Sequence, residues 1–136
     1  MQIVLLTHMT CCAQGLHDMT NSTRCEGLYR DQLTNITKRL AALGTKLLYI
    51  STTPYMPLRT QNNTVVEDMN SIAKEVVSPH ISAPIVDLYS AVTAKCGAVY
   101  QNCSICRKTP CSFHYNDEGM NAQAAIVAAA VKGALG

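Results

Sequence analysis

The chain has 136 residues, of which 48% are hydrophobic and 15% charged. It therefore has the length of one domain and the composition to bury a core rather than remain disordered. Eleven Lys and Arg against nine Asp and Glu leave a formal charge of +2, too small and scattered to make nucleic acid or an anionic membrane surface the main partner, and no apolar run approaches the ~20 residues of a membrane span.

Residues 3–6 (Ile-Val-Leu-Leu) form a short apolar run that reads as a buried strand. The stretch from Thr7 to Cys25 is polar and irregular, with Gly15-Leu-His-Asp18 inside it. Tyr29, Leu33, Ile36, Leu40 and Leu43 then recur at steps of four, three, four and three, the spacing of one helical face, and Gly44 suits the C-cap. Lys46 to Ser51 is the next expected strand, broken by Pro54 and Pro57. A second helix is expected over about Val65 to Val77, with Val66, Met69, Ala73, Val76 and Val77 apolar on one side and Pro79 beyond its end. Pro84 to Leu88 reads as a third strand and Tyr89 to Lys95 as a short helix, followed by a loop over 96–113. An Ala-rich helix closes the chain from Asp117 to Leu135. Asn116 is placed to cap it, and Met120, Ala124, Val127, Val131 and Leu135 form its expected stripe. Alternating strands and helices predict an α/β fold, a parallel sheet with helices on both faces and its chemistry at the carboxyl ends of the strands.

Seven cysteines are many for a cytosolic chain of this size. Four N-x-[ST] sequons accompany them, at Asn21, Asn35, Asn62 and Asn102, and make these asparagines candidate glycosylation sites. Together these features predict a secretory history. The opening Met1-Gln-Ile-Val-Leu-Leu-Thr-His8 has neither the basic start nor the cleavage site of a signal peptide, so a missing natural N-terminal part is expected. Cys96, Cys103, Cys106 and Cys111 are disulfide candidates with three possible pairings. The competing reading is a zinc site from Cys103, Cys106, Cys111 and His114; the oxidising compartment ranks disulfides above it, so no metal is expected.

Gly15-Leu-His-Asp18 followed by the Tyr29–Leu43 helix resembles the third sequence block of the SGNH (GDSL-type) hydrolases. The segment Lys46-Leu-Leu-Tyr-Ile-Ser-Thr-Thr-Pro54 resembles their next strand. Asp68-Met-Asn-Ser-Ile-Ala73 and Ile85-Val-Asp-Leu-Tyr89 are similar to later stretches, and Phe113-His114-Tyr-Asn-Asp-Glu-Gly119 to the terminal block. The resemblance implies a three-layer, flavodoxin-like parallel sheet lacking the family's first two strands, with residues 15–136 as a partial domain and residues 1–14 as a poorly matching N-terminal segment. It implies acyl-ester hydrolysis without a cofactor, on a small-molecule, carbohydrate or lipid ester. His114 would take the general-base position, and Gly15, His17 and Asp18 the oxyanion loop, His17 standing where the family has Asn.

Three departures follow. The chain has no Gly-Asp-Ser block, no second block, and Cys111 rather than Asp three residues before His114. The expectation is a chain that is inactive alone, or a non-catalytic, disulfide-stapled binding module. For His114 the alternative role is capping the last helix, and for His17 an ordinary loop residue. Asp18 reads as a loop tie, Asp87 as an N-cap and Asn70 as a buried hydrogen-bonding residue rather than a catalyst. Ser22, Ser51, Ser71, Ser104 and Ser112 are the candidate replacement nucleophiles, and none sits on a strand-to-helix elbow beside Gly and Asp. Loss of the first family strand would leave residues 3–6 as an exposed edge strand open to self-association.

Overall fold

The computed structural model describes residues 3–6, 22–54, 63–81, 83–97, 102–111 and 114–136. In chain order these form strand β1 (Ile3–Leu6), helix α1 (Ser22–Ala42), strand β2 (Lys46–Tyr49), helix α2 (Thr64–Val77), a 3-10 turn (Ser78–His80), helix α3 (Leu88–Cys96) and helix α4 (Asp117–Leu135). Strands β1 and β2 pair in parallel, with Ile3 opposite Lys46 and Leu6 opposite Tyr49.

Alternation along β2 divides the core. Leu47 and Tyr49 point to one side and pack with Tyr29 and Leu33 of α1 and Val66, Met69, Ala73 and Val77 of α2. Leu48 and Ile50 point to the other and pack with Val86, Leu88 and the α4 residues Val127, Ala130 and Val131. Burying alternate side chains on both faces of so short a strand requires a helix on each side. Leu47 and Leu48 are 2% and 1% exposed, so β2 is the centre of the molecule.

The helices end where local chemistry stops them. Helix α1 starts earlier than its apolar stripe, at Ser22, and ends at Ala42, so Leu43 falls outside it and is 73% exposed. Gly44, at φ 67°, donates its N–H to the Ala41 carbonyl and takes the left-handed conformation that a C-cap requires. In α3 the Asp87 carboxylate caps the first turn and Gly97, at φ 71°, closes the last. Asn116 caps α4 by accepting the Gly119 N–H at 3.0 Å. A Cβ on Gly119 would lie 2.6 Å from the Ile105 carbonyl oxygen, so the first turn of α4 rests directly on that backbone.

The expected flavodoxin-like, three-layer parallel sheet is not what the described residues build. The described residues are mainly helical, with one ribbon of two four-residue strands. The third strand expected over Pro84–Leu88 reduces to a single parallel bridge between Ile50 and Val86. Val86 donates to the Tyr49 carbonyl and accepts from the Ser51 N–H, both at 2.9 Å. Pro84 has no N–H to extend the ladder backwards. Forwards, Asp87 has already turned to cap α3, and its backbone leaves the extended region. The α4 stripe also needs correction: Val127 and Val131 face the core, but Met120 and Leu135 are 53% and 49% exposed.

Candidate functional site

Two polar assemblies lie around the carboxyl end of β2 and the head of α4. The second is built by disulfides. Cys96 at the end of α3 is bonded to Cys103, with Cα atoms 4.9 Å apart, and Cys106 is bonded to Cys111 at 5.4 Å. Of the three pairings open to these four cysteines, the chain uses the one that joins them in sequence order, first to second and third to fourth, at separations of 7 and 5. The competing zinc set is thereby lost, since Cys103 and Cys106 are engaged in different disulfides.

This stapled segment folds back on the approach to α4. Arg107 donates its N–H to the His114 carbonyl, and Asn116 donates its N–H to the Ile105 carbonyl, each at 2.9 Å. Cys106 and Tyr115 form an antiparallel bridge, and the Asn116 side-chain amide donates to the Ser104 carbonyl at 2.8 Å. The backbone of His114 is thus fixed, and its side chain is exposed. His114 does not cap α4; Asn116 does.

The first assembly centres on Asp87, just beyond the Ile50–Val86 bridge. Its carboxylate accepts the Ser90 N–H at 2.9 Å, the Ser90 hydroxyl at 2.7 Å and the Ser51 hydroxyl at 3.1 Å. The Ser51 oxygen in turn accepts the Tyr89 N–H at 3.0 Å. Partial burial pushes the Asp87 carboxyl up. The bonds from Ser90 and Ser51 and the nearby Lys74 charge outweigh it and hold the group below the usual carboxylate range. Asn70 of α2 makes a two-way bond with the backbone of Thr52, accepting its N–H at 2.8 Å and donating to its carbonyl at 2.9 Å. The Tyr89 phenol donates to Glu67. These groups surround a cleft of about 240 Å³ between β2, α2 and the head of α3. Beneath it the buried phenols of Tyr29 and Tyr49 are hydrogen-bonded to each other, and burial raises both above the ordinary tyrosine range.

Ser51 has both its hydroxyl proton and a lone pair in use, and its only acceptor is a weakened base. A carboxylate held below its ordinary pKa is poorly suited to drawing a proton from a serine hydroxyl. The arrangement fixes the exit of β2 and can hold polar ligand groups through Glu67, Ser71 and Lys74.

Asp87 caps α3 as expected, and Asn70 makes hydrogen bonds as expected but is half-buried rather than buried. Gly15, His17, Asp18, Asn21, Asn62 and Ser112 lie outside the described residues, as does the side chain of Ser22. Asn35 and Asn102 are exposed, Ser71 faces solvent on α2, and Ser104 is exposed beside the disulfides. Glu67, Lys74 and Tyr89 line the cleft but carry no sequence signal, because their positions converge only once α2 packs across β2. No three-residue cluster of His, Cys, Asp or Glu suited to a metal occurs among the described residues. No helix among them is long and apolar enough to cross a membrane.

No family model matches the chain, and neither a characterised protein nor a solved structure is significantly similar to it.

Proposed function

We propose that the chain is the C-terminal part of an SGNH-type ester hydrolase from the secretory pathway, and that it turns over no ester by itself. The observation that carries this reading is the state of Ser51. It is the serine nearest the carboxyl end of the central strand, and its hydroxyl is tied between the Asp87 carboxylate and the Tyr89 N–H. On this reading the segment from His114 into the last helix corresponds to the family's terminal block, and Ser51 is not an activated nucleophile to go with it. Acyl chemistry then belongs to a Gly-Asp-Ser block that these residues do not encode.

Two disulfides beside His114 support the secretory part of the reading, since such bonds persist in oxidising compartments. A second reading, a disulfide-stapled binding module, draws on the cleft at Asp87, whose Lys74, Glu67 and Ser71 suit a small polar ligand such as the carbohydrate part of an ester. Neither reading calls for a cofactor, and β1, whose ladder partner among the described residues is β2 alone, is proposed as a self-association edge.

The test is labelling of the purified chain with a serine-reactive fluorophosphonate, followed by peptide mapping. The reading predicts no labelled serine. Stoichiometric label on one serine, lost in His114→Ala, would overturn it.

A further inference from the structure

Thr37 is a buried polar residue without a purpose in the fold. It lies within α1, is 0% exposed, and its hydroxyl has no hydrogen-bond partner among the described residues. Three other threonine hydroxyls behave differently. Thr34 donates to the Arg30 carbonyl, Thr93 to Tyr89 and Thr45 to Leu40. An unpaired buried hydroxyl is a cost that a valine of the same shape would remove. Folding stability therefore does not account for the oxygen at position 37.

The sequence supplies the requirement. Thr37 is the third residue of Asn35-Ile-Thr, and a sequon is read through the hydroxyl at that position. Asn35 itself is exposed, on a helical face shared with Asp31, Lys38 and Arg39, all of them solvated. We infer that Asn35 carries an N-linked glycan and that Thr37 serves as the recognition residue for its attachment. The inference rests on the secretory reading above.

The order of events follows from the helix. Residues two apart do not share a face of an α-helix, and here Asn35 points to solvent while Thr37 points to the core. A transferase cannot read both once α1 has packed, so attachment precedes folding of this segment. In the transfer, the Asn35 amide nitrogen bonds the anomeric carbon of an oligosaccharide carried on a lipid pyrophosphate. The carbon–oxygen bond to the pyrophosphate breaks, the pyrophosphate leaves with the electron pair, and the amide gives up one proton to the transferase. Folding then buries the hydroxyl that was read and leaves the sugar outside, over a charged surface that needs no protein partner.

The experiment expresses the full chain behind an added signal peptide in a eukaryotic secretory host. Peptide-N-glycosidase in heavy-oxygen water then marks every asparagine that carried a glycan. Asn35 is expected to be marked in the parent chain and in Thr37→Ser, and unmarked in Thr37→Val. In protein made in bacteria, without glycans, Thr37→Val is expected to melt a few degrees above the parent, because only the orphaned hydroxyl is lost. An unmarked Asn35 beside a marked Asn102 would overturn the inference, as would a Thr37→Val chain that melts below the parent. Free thiols at Cys96, Cys103, Cys106 and Cys111 in protein from its natural source would overturn the secretory reading together with it.

Discussion

A single carboxylate does most of the local work at the end of the central strand. Asp87 caps α3, holds the Ser51 hydroxyl and sits within the field of Lys74. Replacing it with alanine removes the cap, and Asp87→Ala is expected to cost about 1 kcal/mol in denaturant unfolding, within a range of about 0.5–2 kcal/mol for such caps. Asp87→Asn keeps a capping oxygen and loses the charge. Because the native carboxyl is held below its ordinary value, its stabilising contribution is present above the unfolded-state value and fades as pH falls through the native one. The parent chain is therefore expected to outlast Asp87→Asn at neutral pH and to lose that advantage below about pH 4. An advantage that persisted at pH 2 would show that the charge is not the source.

The elements show which parts of a sequence speak for themselves. Helix α2 and its buried face at Val66, Met69, Ala73 and Val77 follow from an amphipathic pattern with polar residues between, which only one helix face satisfies. The caps at Asp87 and Asn116 were legible for the same reason, each being a short polar side chain just before a helix. Helix α4 has clear ends but an ambiguous face: alanines surround it, so period alone does not tell Val127 and Val131, which pack, from Met120 and Leu135, which do not. The segment Pro84–Leu88 misleads differently. A short apolar run reads as a buried strand whether it pairs along its length or at one residue, and here the capping demand of Asp87 and the missing N–H of Pro84 leave only Val86 to pair. The cleft residues Glu67 and Lys74 were illegible because nothing local marks them. At this scale the stapled loop is the part most open to perturbation. Reducing both disulfides, which close loops across sequence separations of 7 and 5 residues, is expected to remove about 2–3 kcal/mol each by the chain-entropy rule. In hydrogen exchange the N–H groups of Arg107 and Asn116 should lose protection together.

For the whole molecule, β2 is the element on which both cores depend. Leu48→Ala opens a space between the strand and α4 and is expected to cost about 2–5 kcal/mol, a large share of the stability of a domain this size. A change of less than 1 kcal/mol would mean that α4 is not docked as described. The narrow two-stranded ribbon also bears on solution behaviour. With β1 paired on one side only among the described residues, and with Met120, Ile126 and Leu135 exposed on α4, the chain is expected to self-associate. Sedimentation velocity should give a weight-average mass that rises with concentration; one monomeric species across the range would refute that. The central claim concerns chemistry: on the function proposed above, His114 would hold the general-base position of an ester hydrolase, and Ser51, the serine at the end of the central strand, is not an activated nucleophile for it to serve. Its most direct test is the pre-steady-state hydrolysis of a short activated acyl ester by the purified 136-residue chain, beside His114→Ala. The expected result is the same slow, linear background for both proteins, without a burst. A stoichiometric burst in the parent that disappears in His114→Ala would contradict the account.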